Sequence, residues 1–174
     1  KSIIHHRKME HSMKLHHDIK LFSDTLRAAS QHLDIKLEFV EKDYWITLVL
    51  SRLAKSKYID ESVFKGGTSL SKGYNLIERF SEDVDIAIIN DKGKTGNEIK
   101  TIIRTIEKEI TPDLTELQME GVTSKGSRFR KSVFEYDTIE NTIKNQCLQW
   151  RSRVTFWRRY FFNHRSEYFF NTNS

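Results

Sequence analysis

Hydrophobic residues recur at helical spacing in three parts of the chain. Residues 14–33 and 97–110 each carry one apolar stripe, and residues 38–56 have helix-forming length with neither Gly nor Pro. The pattern predicts two N-terminal helices within residues 14–56 and a later helix that ends just before Pro112. The stripe positions are Leu15, Ile19, Phe22, Leu26, Ala29 and Leu33 in the first helix, and Ile99, Ile102, Ile103, Ile106 and Ile110 in the later one.

Three shorter segments have the pattern of strands. Residues 62–65 predict a short buried strand, and residues 83–88 alternate between apolar and acidic or small side chains along a second one. Between them, two glycines break the first strand and hydroxyl residues cap a helical segment. The region 62–90 is therefore predicted to be a strand, a glycine turn, a helix and a strand. Residues 128–137 alternate over a short stretch and predict a third strand.

The length and charge of the chain indicate its domain organisation. A chain of 174 residues is long enough for one compact domain with a small appendage. The net charge is +5, and residues 150–174 supply +4 of it with five Arg and one Glu. We expect one domain over residues 1–149 and a basic, aromatic tail over residues 150–174. The tail either stacks on single-stranded nucleic acid or completes the core with its aromatic side chains.

Cysteine usage and hydropathy favour a cytoplasmic protein. The single cysteine, Cys147, cannot form an internal disulfide, and no apolar run approaches the roughly 20 residues that span a bilayer. The N-terminus has no signal-peptide pattern, so we expect no membrane partner. Five histidines occur early in the chain, but no pair has the spacing and companion ligands of a zinc site. We expect a solvated face for them: His5, His6, His11, His16 and His17.

The glycine turn has the features of a site for a nucleoside triphosphate. Glycines let the backbone approach phosphates closely, and the N–H groups that open the next helix point toward them. Hydroxyl and ammonium groups follow the turn, so the predicted phosphate-binding residues are Gly66, Gly67, Thr68, Ser69 and Lys72. A Walker phosphate loop is a poor match, because Ser71 stands where its second glycine belongs and Gly73 follows Lys72.

Asp83 and Asp85 are two residues apart on the second strand and therefore project from one face. Two like charges about 4 Å apart repel by roughly 4 kcal/mol at an effective dielectric constant near 20, which favours a cation beside the pair. Two divalent ions about 3.5–4 Å apart can activate an attacking hydroxyl and stabilise leaving pyrophosphate. The alternative for a bare Asp-x-Asp is an exposed strand face, but the upstream glycine turn favours the metal site.

Three motifs resemble the AbiEii family of nucleotidyltransferase toxins, within the DNA polymerase β superfamily. They are Lys-Gly-Gly-Thr-Ser-Leu at 65–70, Arg-Phe-Ser-Glu-Asp-Val-Asp at 79–85, and Glu-Lys-Asp-Tyr-Trp at 41–45. The resemblance implies an α+β fold of the DNA polymerase β type, with a twisted mixed sheet flanked by helices. It also implies three metal-binding carboxylates that hold Mg²⁺ or Mn²⁺.

By this resemblance, Asp83 and Asp85 are the first two metal ligands and catalytic residues. The third carboxylate belongs on a later strand, and we expect it to be Glu135, with Asp137 as the same-face alternative. Lys42 is a further candidate for orienting the nucleotide, and an exposed charged helix face is the alternative for it. The spacing from Gly67 to Asp83 is slightly longer than the superfamily signature. Relatives also carry more C-terminal helix than this short chain can hold.

The implied function is transfer of a nucleoside monophosphate from a nucleoside triphosphate to a hydroxyl of RNA, especially tRNA, or of a protein. The implied role is the toxin of a toxin–antitoxin or abortive phage-infection system, with a separate antitoxin protein as partner. A catalytically inactive nucleotide- or RNA-binding protein with the same fold is the alternative. A glycosyltransferase that uses a nucleotide sugar is a third hypothesis.

Overall fold

The fold is that of a computed structural model, which describes residues 14–66, 83–90, 93–126, 129–137, 139 and 147–155. Within these residues, three α-helices accompany six strands of one sheet. No helix in this part of the chain is long and apolar enough to cross a membrane.

The first helix begins and ends at polar residues that satisfy its free backbone groups. A 3-10 turn over Leu15–His17 leads into α1, Ile19–Leu33. The Asp18 carboxylate caps α1 by accepting a hydrogen bond from the Leu21 N–H at 3.0 Å. The helix ends at Asp34, which has a left-handed conformation with a φ of 54°.

The other two helices also agree with the predicted spans. Helix α2 runs over Leu37–Lys55, and a 3-10 turn over Ile59–Glu61 follows it. Helix α3 runs over Gly96–Ile110 and begins with a capping box, in which Thr95 and Glu98 each accept a hydrogen bond from the other's backbone N–H.

One mixed sheet contains all the strands that the structure describes. They are β1 (Ser62–Lys65), β2 (Asp83–Ile89), β3 (Thr115–Leu117), β4 (Ser124–Lys125), β5 (Phe129–Glu135) and β6 (Cys147–Thr155). Their order across the sheet is β1-β2-β6-β5-β3, and β4 pairs with β5 outside this path. Strands β2 and β6 are parallel, and the other pairs are antiparallel. The mixed sheet with its helices confirms the predicted α+β class.

Strand β6 crosses the predicted start of the tail at residue 150. It runs from Cys147 to Thr155 and lies between β2 and β5. Residues 150–155 are therefore part of the sheet, where they pair with β2 and β5. The remainder of the predicted tail, residues 156–174, lies outside the described residues.

The core lies between the three helices and one face of the sheet. Val84, Ile86 and Ile88 of β2 point into it, and all five isoleucines of the predicted α3 stripe are buried. The predicted α1 stripe is only partly confirmed. Phe22 and Leu26 are buried, whereas Ile19 and Leu33 are 78% and 56% exposed. Ile19 and Leu33 are the first and last residues of α1, and the buried residues lie between them.

A buried network of charged groups joins α3 to the sheet. Glu107 of α3 is 5% exposed and accepts hydrogen bonds from Arg130 Nε at 2.6 Å and Ser132 Oγ at 2.7 Å. Arg130 also donates to Glu116 of β3 at 3.1 Å, and Lys125 of β4 pairs with the same carboxylate. Burial lowers the pKa of Arg130, but the hydrogen bond and the negative charge of Glu107 raise it by more. The net effect is a raised pKa. The buried Arg130 guanidinium is thus paired with carboxylates on both α3 and β3.

The predicted solvated face of the N-terminal histidines is wrong for His16. Its side chain is only 8% exposed, its Nδ1 lies 2.6 Å from the Tyr44 hydroxyl, and its ring centroid lies 5.0 Å from that of Trp45. The 3-10 turn packs against α2. Because His16 and Tyr44 are 28 residues apart in the chain, local spacing does not indicate this contact. His17 is exposed as expected, and the three earlier histidines lie outside the described residues: His5, His6 and His11.

Candidate active site

Asp83 and Asp85 lie at the start of β2, on the face of the sheet that points away from the three described helices. Side chains alternate along the strand, so Val84 and Ile86 are buried in the core while the two carboxylates project to the other side. Both aspartates are partly exposed. A cation or a phosphate group can therefore approach them from this face.

The glycine turn begins directly against this pair. Lys65 is opposite Asp85 in the antiparallel β1–β2 ladder, and Gly66 follows with a φ of +80°, a conformation that favours glycine. A Cβ atom on Gly66 would lie 2.5 Å from Oδ2 of Asp85. Gly66 thus has two separate reasons to be glycine, its backbone conformation and the close approach of the carboxylate.

Lys65 is a candidate site residue that the sequence analysis does not single out. Directly opposite residues of an antiparallel pair have Cβ atoms about 4.5–5.5 Å apart and share one face of the sheet. The register therefore places the Lys65 side chain beside Asp85, where it is partly buried. The sequence did contain one indication of this role. Lys65 directly precedes the first glycine, and the last residue of a strand lies close to any ligand that the following turn binds.

Glu135 ends β5 and lies on the same face as the aspartates. It pairs with Cys147 of β6, and Asp83 pairs with Gln149 two residues further along that strand. Two strand spacings and two residues separate the Cα atoms of Glu135 and Asp83, which corresponds to about 12 Å. Glu135 and its neighbour Asp137 are both exposed. The sharing of one metal site by Glu135 and the aspartates stays a prediction.

The motif at residues 41–45 fixes the end of β5. Trp45 of α2 stacks on Tyr136 with ring centroids 5.4 Å apart, and the buried Glu41 accepts a hydrogen bond from the Ile139 N–H at 3.0 Å. These contacts anchor the segment that follows Glu135. Glu41 and Trp45 therefore act in packing and positioning, which explains two of the residues in the motif.

Lys42 belongs to the same motif but lies half-buried on α2, the helix packed on the opposite face of the sheet from the aspartates. Its role toward the nucleotide stays a prediction. The remaining predicted phosphate-binding residues lie outside the described residues, and their roles are likewise untested: Gly67, Thr68, Ser69 and Lys72.

The donor set at Asp83 and Asp85 fits a hard divalent cation. Carboxylate oxygens are the ligands that Mg²⁺ and Mn²⁺ prefer. The absence of a Cβ at Gly66 lets Oδ2 of Asp85 lie directly against the start of the turn, since a Cβ there would be only 2.5 Å from this oxygen. Two partly exposed carboxylates on one face, next to a glycine turn, are therefore a suitable set of ligands for such an ion.

A comparison with protein families finds a match for this chain. The family model described as "Nucleotidyl transferase AbiEii toxin, Type IV TA system" matches residues 48–156, which is more than half of the chain. The matched range includes all six described strands, and with them Asp83, Asp85 and Glu135. A comparison with curated proteins gives no match.

Proposed function

Because the chain belongs to the AbiEii family of nucleotidyltransferase toxins, we propose that it transfers a nucleoside monophosphate from a nucleoside triphosphate to an acceptor hydroxyl. The acceptor is a hydroxyl of RNA, in particular tRNA, or of a protein, and pyrophosphate leaves. The observation that carries this proposal is the approach of the Gly66 backbone to the Asp85 carboxylate. It supports the proposal because Gly66, the first glycine of the proposed phosphate-binding turn, lies against a carboxylate that we propose as a metal ligand.

Asp83 and Asp85 would hold the Mg²⁺ or Mn²⁺ ions, with Glu135 as the proposed third carboxylate. When bound, such ions supply positive charge that lowers the pKa of the acceptor hydroxyl and neutralises charge on the phosphates. The chain's own contribution is positioning. The β-ladder fixes the spacing of the two aspartates, and Gly66 lets the backbone come close to them.

The triphosphate would be bound by the turn and the groups around it. Backbone N–H groups at a glycine turn and at a helix start attract phosphate oxygens without any side chain. Lys65 adds a positive charge on the aspartate face, and Lys42 is a second candidate for orienting the nucleotide. The residues after Gly66 that we propose for phosphate binding are Gly67, Thr68, Ser69 and Lys72.

The proposed biological role follows from the family description, which names a type IV toxin–antitoxin system. We propose that the protein is the toxin of such a system, that it acts in the cytoplasm, and that an antitoxin protein is its partner. Defence by abortive phage infection is the physiological setting that we propose for it.

The test is a labelling assay with each α-³²P-labelled triphosphate, Mg²⁺ or Mn²⁺, and total RNA or total protein as acceptor. We expect the wild type to label one acceptor class, and Asp83→Asn to lose at least about 100-fold in rate, because even indirect partners of a metal commonly contribute 10–100-fold. Asp24→Asn is the matched control, since Asp24 is an exposed aspartate on α1. Equal labelling by wild type and Asp83→Asn would remove the catalytic assignment.

A second measurement shows whether a chain that labels no acceptor still binds nucleotide at the proposed site. Nucleotide binding by the wild type is measured by equilibrium dialysis in the same buffer. Binding that depends on Asp83, together with no pyrophosphate release with any acceptor, would favour a nucleotide-binding protein that retains the fold.

A further inference from the structure

A second cluster of metal-ligating side chains lies where the N-terminal 3-10 turn meets the segment after α3. His16, His17 and Asp113 each present one ligand atom, and these atoms lie within 4.8 Å of one another. The chain separation between the histidines and the aspartate is long, so the folded structure alone brings them together. None of the three belongs to the candidate active site.

The His16 ring gives this cluster its geometry. Within the described part of the chain, its Nε2 atom is buried and accepts or donates no hydrogen bond. The nearest carboxylate oxygen, Oδ2 of Asp113, lies 3.5 Å away, which is long for an N–H···O bond. Two ligands of one tetrahedral zinc ion lie about 3.3 Å apart when each is about 2.0–2.1 Å from the metal. The distance therefore suits two ligands of one ion better than a direct hydrogen bond.

The groups around the cluster hold the ligands in place. The Tyr44 hydroxyl lies 2.6 Å from Nδ1 of His16, so Nδ1–H can donate to it and leave Nε2 as the unprotonated ligand. Arg52 donates to the same oxygen of Asp113, Oδ2, and to the Ile110 carbonyl at 3.1 Å, which orients the carboxylate.

We propose that His16, His17 and Asp113 bind a divalent transition-metal ion of the zinc class, at a site separate from Asp83 and Asp85. Two imidazoles and one carboxylate suit Zn²⁺, Co²⁺, Ni²⁺ or Cu²⁺ better than Mg²⁺. His17 and Asp113 are exposed, so the ion enters from solvent and takes water as its remaining ligand. The nearby Arg52 charge weakens cation binding. The ion ties the 3-10 turn to the segment after α3 and stabilises the fold.

Zinc titration of the full chain tests this site without any nucleotide. Isothermal calorimetry gives the affinity, thermal unfolding gives the shift in Tm, and Co²⁺ absorption reports tetrahedral coordination. We expect His16→Gln to weaken zinc binding at least tenfold and to abolish the zinc-dependent rise in Tm. His32→Gln is the matched control, because His32 is an exposed histidine at the end of α1, outside the cluster.

Two exposed positions keep the test decisive if His16→Gln does not fold. His17→Gln and Asp113→Asn change groups at the surface, so both are expected to fold and to lose affinity by at least fivefold. Wild type and variants are compared directly, because the three earlier histidines add imidazoles of their own: His5, His6 and His11. The proposal would be overturned if both surface variants bound zinc within twofold of the wild-type affinity and gave the same Co²⁺ spectrum as the wild type. The outcome is independent of nucleotidyl transfer, since no triphosphate is present.

Discussion

Replacing Gly66 by alanine tests whether the glycine turn and Asp85 form one site. The new Cβ would lie 2.5 Å from Oδ2 of Asp85, so that oxygen must move by about 0.9 Å to reach ordinary contact at 3.4 Å. The backbone adds a second effect, because a φ of +80° is unfavourable for alanine by about 1–2 kcal/mol. The substitution therefore strains the turn and displaces the carboxylate at once.

Gly121→Ala separates these two effects. Gly121 has a φ of +71°, and a Cβ there would meet no atom of the described chain within 4 Å. This variant carries the backbone strain without the contact. Both variants carry the backbone strain, so a difference in activity per folded molecule between them reports the contact with Asp85.

Urea denaturation and the labelling assay together measure the outcome. We expect both variants to lose about 1–2 kcal/mol of unfolding free energy. Only Gly66→Ala is expected to lose activity per folded molecule, by about 100-fold, because a catalytic group misplaced by about 1 Å can lower a rate by that factor. Equal activity per folded molecule in the two variants would refute the reasoning, and so would a Gly66→Ala protein as stable as the wild type.

Glu107→Gln leaves the buried Arg130 without its closest negative charge, so urea denaturation should show that the free energy of unfolding falls by about 3 kcal/mol. A fall of less than about 1 kcal/mol would contradict an ion pair that is shielded from water. Asp34→Gly removes a non-glycine residue from a left-handed helix end, and thermal unfolding should show a gain of about 0.5–1 kcal/mol rather than a loss. Partial burial raises the pKa of Glu116, but the hydrogen bond from Lys125 and nearby positive charges lower it by more. The net effect is a pKa below the usual value of 4.5 for glutamate. Its contribution, at most about 1 kcal/mol because the pair is solvent-screened, is present at neutral pH and is lost as the pH falls below 4.5 through the lowered pKa. Glu116→Gln should therefore be less stable than the wild type at pH 7 and equal to it near pH 2, and a gap of the same size at both would contradict the pairing.

The helices and the aspartate strand could be predicted because their pattern is local. The isoleucines of α3 repeat at helical spacing, and all five are buried. The alternation around Asp83 and Asp85 specifies which side chains share a face before any partner strand is known. The α1 stripe marks the limit of this reasoning. Its periodicity is the same at Ile19 as at Phe22, but only the middle of the helix meets α2 closely enough to bury it.

The rest of the site depends on which strands and turns pack against one another, and the spacing of residues along the chain does not show this. Glu135 could be placed on a strand, but its distance from Asp83 depends on β6 lying between their two strands. Lys65 became a site candidate only through its register opposite Asp85. His16 was expected in solvent, and its burial comes from contacts with Tyr44 and Trp45.

The position of β6 in the sheet has a consequence for how the protein acquires its structure. Strands β2 and β5 do not touch each other, because β6 lies between them and pairs with both. Until residues 147–155 emerge from the ribosome, each of the two strands keeps one edge unpaired, and the sheet cannot close. Pairing over so long a chain separation is slow, and exposed apolar edges favour aggregation in the meantime. A nascent chain that ends before Cys147 thus holds Asp83 and Asp85 on a strand with one unpaired edge, and the sheet around them is complete only once β6 has been added.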